Sequence, residues 1–201
     1  MGMNVGYLRA GRTSASDECI TPRWVVEPVV KYLKAKGFKK IWCPFDAWHS
    51  QYVRVLKREG FEVVHSFDFF NTPTPEGVDC IVSNPPFSIK DKIIADVYDR
   101  GLPFVLLLPV PTLQGKKRVK LFKEKGLELL VFDARACFYT NGNMKEIEMG
   151  NHFGSMYFCH NVLPEPLVFE YLEPVQEPYF LPSESEDELR YEQEKADARS
   201  S

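Results

Sequence analysis

Apolar and polar positions follow two periods along this chain. In TPRWVVEPVVKYLKAKGF, residues 21–38, Val25, Val26, Val29, Val30 and Leu33 recur near helical spacing, and Gly37 suits the helix end. KKIWCPF then reads as a short buried strand. SQYVRVLKREGF is a second amphipathic helix, with Tyr52, Val53, Val55 and Leu56 inward and Gly60 as its stop. EVVHS is a strand, FFNTPTPEG a turn-rich connection and DCIVS another strand. KDKIIADVYDRG reads as a helix, PFVLLLPV as a fully apolar strand, GKKRVKLFKEKG as a basic helix and LELLVFDAR as a strand. GSMYFCHNV and LVFEYL are the last strands. This alternation with short loops predicts an α/β domain with a mostly parallel, doubly wound sheet of about seven strands and helices on both faces. Such sheets bind ligands beyond the carboxyl ends of their strands, near the switch point.

One stretch interrupts the pattern. Ser83-Asn84-Pro85-Pro86-Phe87 follows the DCIVS strand directly. The two prolines donate no backbone hydrogen bond and fix their own φ. The residue before a proline is pushed toward extended backbone as well. The segment is therefore expected to leave the strand as a stiff, extended elbow that aims Asn84 into the ligand crevice. The Asn84 side-chain oxygen and the Pro85 carbonyl are two acceptors suited to one NH2 group, with Phe87 able to stack on the ring that carries it. An aromatic amine is a poor nucleophile because its lone pair is delocalised. Accepting both of its protons favours sp³ nitrogen and stabilises the positive charge that develops there.

Composition sets the bounds. The chain has 201 residues, 44% hydrophobic and 26% charged, which is enough for one well-filled α/β domain. It has no apolar run long enough to predict a membrane span. The first residues, MGMNVGYLRAGRTSASDE, lack a secretory apolar region. Met1-Gly2 begins like a myristoylation signal, but Val5 and Gly6 give no Ser or Thr where that motif needs one. Five scattered cysteines without a CxxC pair read as reduced, mostly buried thiols in a cytoplasmic protein. Four dispersed histidines argue against a metal site. The net charge of −3 argues against an extensive DNA-binding surface while leaving room for a local basic patch. Residues 1–18 are expected to be a flexible segment, 19–180 the folded domain, and 181–201 an acidic, disordered tail.

The elbow resembles the (D/N/S)PP(Y/F) motif of S-adenosylmethionine-dependent amino-methyltransferases, most often adenine-N6 enzymes. TPRWVVEPVVKYL is similar to the segment that precedes the first strand in that family. IWCPFDAWHSQYVRVLKREGFEVVHSFDFF stands where its cofactor loop and second strand belong, and PFVLLLPVPTLQGKKRVKLF where the strand and loop after the elbow belong. The likeness covers roughly Cys19 to Val162, and its combination of segments is similar to small phage-encoded DNA adenine methylases. It implies a Rossmann-like class I methyltransferase fold, S-adenosyl-L-methionine as cofactor and DNA adenine as target, extruded from the duplex. For a phage-encoded enzyme the location would be the bacterial host cytoplasm.

By the same resemblance, Asn84 and the Pro85 carbonyl hold the target amine, Pro86 stiffens the elbow and Phe87 stacks on the base. Pro44, Phe45 and Asp46 line the cofactor loop. Asp68 accepts from the cofactor's adenine amine, Phe69 packs on that ring, and Thr21 and Pro22 touch the methionine end.

Three features depart from the family. CPFDAWHS has no glycine where the family's cofactor loop is glycine-rich. The second strand ends in VVHS, where an acidic residue normally meets the ribose, leaving either His65 or Ser66 as a donor or no contact there. The chain also leaves no room between Asn84 and the tail for a target-recognition domain of ordinary size. Sequence specificity is then either low or supplied by a short insert such as FYTNGNMKEIEMGNHF.

Plainer readings stand beside these. The elbow alone is a common strand-ending turn, Asp46 a possible helix N-cap, Asp68 a turn residue, and His49 and His65 structural or exposed. Lys116, Lys117, Arg118, Lys120, Lys123 and Lys125 form either a solvated helix face or a phosphate-contacting patch. The segment around Phe138, Tyr139 and Phe153 is either a plain hairpin or a loop that fills the gap left by a flipped base. RNA adenine or protein glutamine as substrate, and a non-catalytic module retaining the fold, remain the alternatives in function.

Overall fold

The computed structural model describes residues 20–66, 68–139, 147–148, 154–175 and 177–199. The expected loose segment 1–18 lies outside them, as do residues 140–146 and 149–153 of the insert. In chain order, helix α1 (Arg23–Ala35) leads to strand β1 (Lys40–Cys43), α2 (Gln51–Arg58), β2 (Glu62–His65) and β3 (Cys80–Ser83). Then come α3 (Lys90–Asp99), β4 (Phe104–Pro109), α4 (Lys116–Lys125), β5 (Glu128–Phe132), β6 (Phe138–Tyr139) and β7 (Ile147–Glu148). Strands β8 (Ser155–His160) and β9 (Leu167–Glu170) and helix α5 (Ser185–Arg199) complete the chain.

Seven strands pair in the order β2-β1-β3-β4-β8-β5-β9. All ladders are parallel except those of β8, which runs antiparallel to both β4 and β5. This is the expected Rossmann-like, mostly parallel and doubly wound sheet of seven strands. The four glycines that follow α1 to α4, Gly37, Gly60, Gly101 and Gly126, all take positive φ, which stops each helix at little steric cost. A two-stranded ribbon, β6 with β7, was not expected as a separate sheet. Tyr139 in β6 also pairs with Ile20 through two backbone bonds of 3.0 Å, which ties the residues just before α1 to the ribbon that follows β5.

Burial explains the strand sequences. Alternate residues of each central strand enter opposite cores. Ile41, Cys43, Val82, Val105, Leu107 and Tyr157 meet α1 and α2 on one face. Trp42, Ile81, Phe104, Leu106, Leu108 and Phe158 meet α3 and the Leu121–Phe122 side of α4 on the other. A strand covered on both faces carries no polar stripe, hence FVLLL. Four of the cysteines, Cys43, Cys80, Cys137 and Cys159, are buried free thiols whose pKa values burial pushes up.

The segment expected to be a disordered tail instead carries α5, and this corrects the sequence reading. Composition alone favoured disorder, but the helix has local support and a docking surface. Arg190 pairs with Glu194 at 3.1 Å and Gln193 with Asp197 at 2.9 Å, each one turn apart. Arg54 of α2, almost buried, binds Glu184 at 2.6 Å and Asp187 at 3.5 Å and lies 4.7 Å over the Phe180 ring.

Two outcomes follow. Asp79 accepts the backbone N–H groups of Lys39 (2.7 Å) and Lys40 (2.8 Å), locking the start of β1 beside β3. The Lys40 bond is the main cause that holds its carboxyl pKa below 3.8. Asp79→Ala should cost about 1–2 kcal/mol in urea unfolding at neutral pH. Because the folded pKa is depressed, that difference is present above the unfolded value of 3.8 and fades as pH falls through the lower folded value. Arg54→Ala should speed proteolytic cleavage within residues 181–199 while the far-ultraviolet signature of the sheet persists.

Candidate active site

Strands β1 and β3 are neighbours, and β2 lies on the far side of β1, so the chain winds in opposite directions after β1 and β3. Their carboxyl ends therefore flank the switch-point crevice. The glycine-free loop 44–50 leaves one and the elbow 84–87 leaves the other.

In the loop, Pro44 and Phe45 turn the chain, and the Asp46 N–H donates back to the Cys43 carbonyl at 3.4 Å. Asp46 is only 7% exposed. Its Oδ1 accepts from the Ser50 hydroxyl and its Oδ2 from the Ser83 hydroxyl. Ser50 is the N-cap of α2, its oxygen accepting the Tyr52 N–H at 3.2 Å. Asp46 is thus not the cap itself but the group that holds the cap, and it ties that loop to the last residue of β3.

At the elbow, Pro85 is buried while Asn84, Pro86 and Phe87 are half-buried. The backbone stays extended only to Pro86 (φ −58°, ψ 124°). Phe87 already opens a 3-10 turn, Phe87–Ile89, that leads into α3, so the stiff segment is one residue shorter than expected. Lys90 Nζ donates to the Phe87 carbonyl at 3.2 Å and braces this turn.

A directed line of hydrogen bonds runs inward from Asn84. Its Nδ2 donates to Thr21 Oγ1 at 3.1 Å. The Thr21 hydroxyl in turn supports the Tyr52 oxygen. Tyr52 and Tyr157 hydroxyls lie 3.0 Å apart, and Tyr157 donates to the Val25 carbonyl at 3.0 Å. Because the Tyr157 proton is used on Val25, Tyr52 is the donor between the rings. Burial pushes both tyrosines' pKa values well up, so the line keeps its protons at any physiological pH. The Asn84 carboxamide is thereby oriented, its nitrogen end inward. Its Oδ1 is shielded from solvent in this closed arrangement, so a substrate amine reaches it only when neighbouring groups shift.

The cofactor residues implied by resemblance divide into two groups. Thr21, Pro22, Pro44 and Asp46 are buried around the crevice, and Phe45 is half-buried at its edge. Phe69 differs. It is fully buried, with Trp42 at 5.5 Å, Phe45 at 4.8 Å and Phe70 at 5.3 Å between ring centroids and the Arg100 guanidinium 4.4 Å over it. It supports the Phe45 loop from beneath and presents no face to a ligand. Asp68 is exposed. Both its carboxylate oxygens accept from Asn71 Nδ2, at 3.0 and 3.1 Å, and its carbonyl accepts the Thr72 N–H, so it closes a turn. Ser66 Oγ accepts from Trp42 Nε1 at 3.2 Å. His65 is half-buried, and desolvation lowers its pKa, with Lys57 adding to the effect.

The loop's rigidity has a source that its own sequence does not show. Trp48 Nε1 donates to Glu194 at 2.9 Å and Arg190 stacks 4.1 Å over the Trp48 ring. His49 meets the Tyr191 ring at 4.7 Å, and its carbonyl accepts the Tyr179 hydroxyl at 2.8 Å. Gln51 donates to the Tyr179 carbonyl at 2.8 Å. Sequence reasoning missed this clamp, as well as Ser50, Ser83, Tyr52 and Tyr157. Tyr52 and the tyrosine of SMYFCH did carry a signal, because a tyrosine on an inward position needs a partner for its hydroxyl.

Among the described residues no group of three or more His, Cys, Asp or Glu side chains is gathered to hold a metal ion, and no helix is long and apolar enough to cross a membrane. No protein-family model matches the chain. No curated protein matches it either. Among solved structures it is similar to a protein from Listeria monocytogenes described as a class I S-adenosylmethionine-dependent methyltransferase. That likeness has 11% identity and a TM-score of 0.45, and covers 92% of this chain and 74% of the other. It is also similar to a protein from Vibrio vulnificus YJ016 described as a modification subunit of a type I restriction enzyme. There the identity is 12% and the TM-score 0.40, with 86% of this chain aligned to about half, 51%, of the other. The fold itself is read from the strand order.

Proposed function

We propose that this protein is an amino-methyltransferase that transfers a methyl group from S-adenosyl-L-methionine to the N6 amine of adenine in DNA. The observation that carries the reading is the Asn84-Pro85-Pro86-Phe87 elbow at the carboxyl end of β3, across the switch point from the buried Asp46 carboxylate. The residues fit the cofactor chemically. An anionic group in a low-dielectric crevice suits a molecule that carries an ammonium and a sulfonium. When bound, S-adenosyl-L-methionine supplies an electrophilic methyl group.

The chain's own residues do the rest. Asn84 Oδ1 and the Pro85 carbonyl accept the two N–H groups of the amine and hold its lone pair in line. The nitrogen would take up the methyl group that the cofactor supplies, with the sulfur keeping the electron pair of the carbon–sulfur bond. Positive charge grows on the nitrogen, where the same two oxygens stabilise it until the surplus proton leaves to solvent. Phe87 covers the base and Pro86 limits the elbow's freedom, so positioning lowers the barrier. Thr21, Tyr52 and Tyr157 hold the Asn84 nitrogen, which leaves the oxygen as the end that accepts. The amine is paired within a duplex, so the base must be extruded first.

A second reading is a non-catalytic module that keeps the fold. The turn role of Asp68, the buried Phe69 and the shielded Asn84 Oδ1 favour it. Calorimetric titration with S-adenosyl-L-methionine separates the two. Heat of binding supports the enzyme, and none at millimolar cofactor supports the module.

Incubation with labelled cofactor and DNA, followed by nucleoside analysis, tests the substrate. N6-methyladenine is the expected product, and label recovered only in RNA or protein would overturn the DNA assignment. Asn84→Ala should lower methyl transfer by about 100-fold or more without loss of cofactor affinity. Tyr52→Phe leaves the Thr21 and Tyr157 hydroxyls without their shared partner. It should cost about 1–3 kcal/mol of stability in thermal or urea unfolding. Its turnover should fall while the KM for cofactor stays near that of the parent protein.

A further inference from the structure

The net charge of −3 conceals a segregated surface. Helix α4 carries six cations, Lys116, Lys117, Arg118, Lys120, Lys123 and Lys125, against the single acid Glu124. Helix α5 carries six acids against three basic residues. The two lie on opposite faces of the sheet. Tyr191 of α5 packs on the core beneath α1 and α2, whereas Leu121 and Phe122 of α4 pack on the other core. A polyanion approaching the crevice is drawn to one flank and repelled from the other.

Arg118 and the lysines have different tasks. Arg118 donates to the carbonyls of Thr112, at 2.8 Å, and Gln114, and pairs with Asp91 in the first turn of α3. It anchors the start of α4 to the helix that the elbow leads into, so the lysine face begins at the rim of the candidate site. That face is open. Lys116, Val119, Lys120, Lys123 and Glu124 line a shallow depression of about 620 Å³, and no residue of α4 is buried. Among the lysines that line it, the ion pair described is Lys120 with Glu124, exposed and 3.8 Å long, a geometry that contributes little. Lys116, Lys120 and Lys123 stand one and two turns apart and span about 10 Å along the helix. That is about three phosphate steps of one DNA strand, each advancing about 3.4 Å along the axis.

We infer that the Lys116–Lys120–Lys123 face of α4 binds the phosphate backbone of duplex DNA and holds the strand whose adenine is delivered to Asn84. The delivery clause rests on the amine-methylating reading, and the phosphate contact does not. Contacts of this kind carry no sequence information and fix register and orientation.

The test is a triple variant, Lys116→Gln with Lys120→Gln and Lys123→Gln. Anisotropy of a labelled duplex is followed between about 50 and 200 mM salt. Methyl transfer, cofactor affinity by calorimetry and thermal unfolding are measured in parallel. The variant should lose at least tenfold in duplex affinity at the lower salt. Its slope of log affinity against log salt should shrink by roughly 2–3. Cofactor affinity and unfolding temperature should be unchanged. Wild-type protein that binds an acidic polypeptide but no duplex overturns the assignment. A folded variant with the parent affinity and salt slope overturns it too. If the variant loses duplex binding and neither protein transfers methyl, the surface stands and the methylation reading fails. If methyl transfer persists at the parent KM for DNA, the surface fails and the methylation reading stands.

Discussion

Everything proposed for the elbow depends on one line of hydrogen bonds, from Asn84 through Thr21, Tyr52 and Tyr157 to the Val25 carbonyl. A carboxamide has two nearly isosteric ends, and only one is an acceptor. Committing the nitrogen to Thr21 settles which end is left to accept. The line closes on a backbone carbonyl, which can only accept, so the direction of every donor upstream is fixed. Such chains polarise cooperatively in a low-dielectric interior. Its members come from the start of α1, from α2, from the end of β3 and from β8, so the orientation of one amide is secured by the assembled fold.

The same logic governs the loop opposite. A glycine-rich turn achieves close approach through backbone freedom. CPFDAWHS has no such freedom and is held from outside. Asp46 gathers Ser50 and Ser83, while Tyr179, Tyr191 and Glu194 hold its Trp48 and His49 end. Rigidity imposed by neighbours substitutes for a conformation chosen by the chain, and the C-terminal segment becomes part of the site's support.

Periodicity carried most of the architecture. The central strands were readable because they are short and apolar with Gly or Pro close by, and helices α1 and α2 because their inward positions recur every three or four residues. Helix α5 was not, because its support is a cluster of ion pairs and aromatic contacts with residues more than a hundred positions away. The elbow was visible because two consecutive prolines leave few conformations. Phe69 was misjudged because nothing in SFDFF distinguishes a ring that faces a ligand from one enclosed by Trp42, Phe45 and Arg100. Asp68 was open to both readings, and the Asn71 amide three residues on explains its turn role.

The position of β8 bears on how the chain reaches this state. Strand β4 ends at Pro109, but its second neighbour begins only at Ser155, after α4, β5 and the β6–β7 ribbon. During synthesis on a ribosome, β2, β1, β3 and β4 can assemble first, leaving FVLLL as a bare hydrophobic margin until the later strand emerges. Loop closure of that length is slow relative to local helix formation. The interval is one of kinetic vulnerability, in which that margin is open to pairing with another nascent chain.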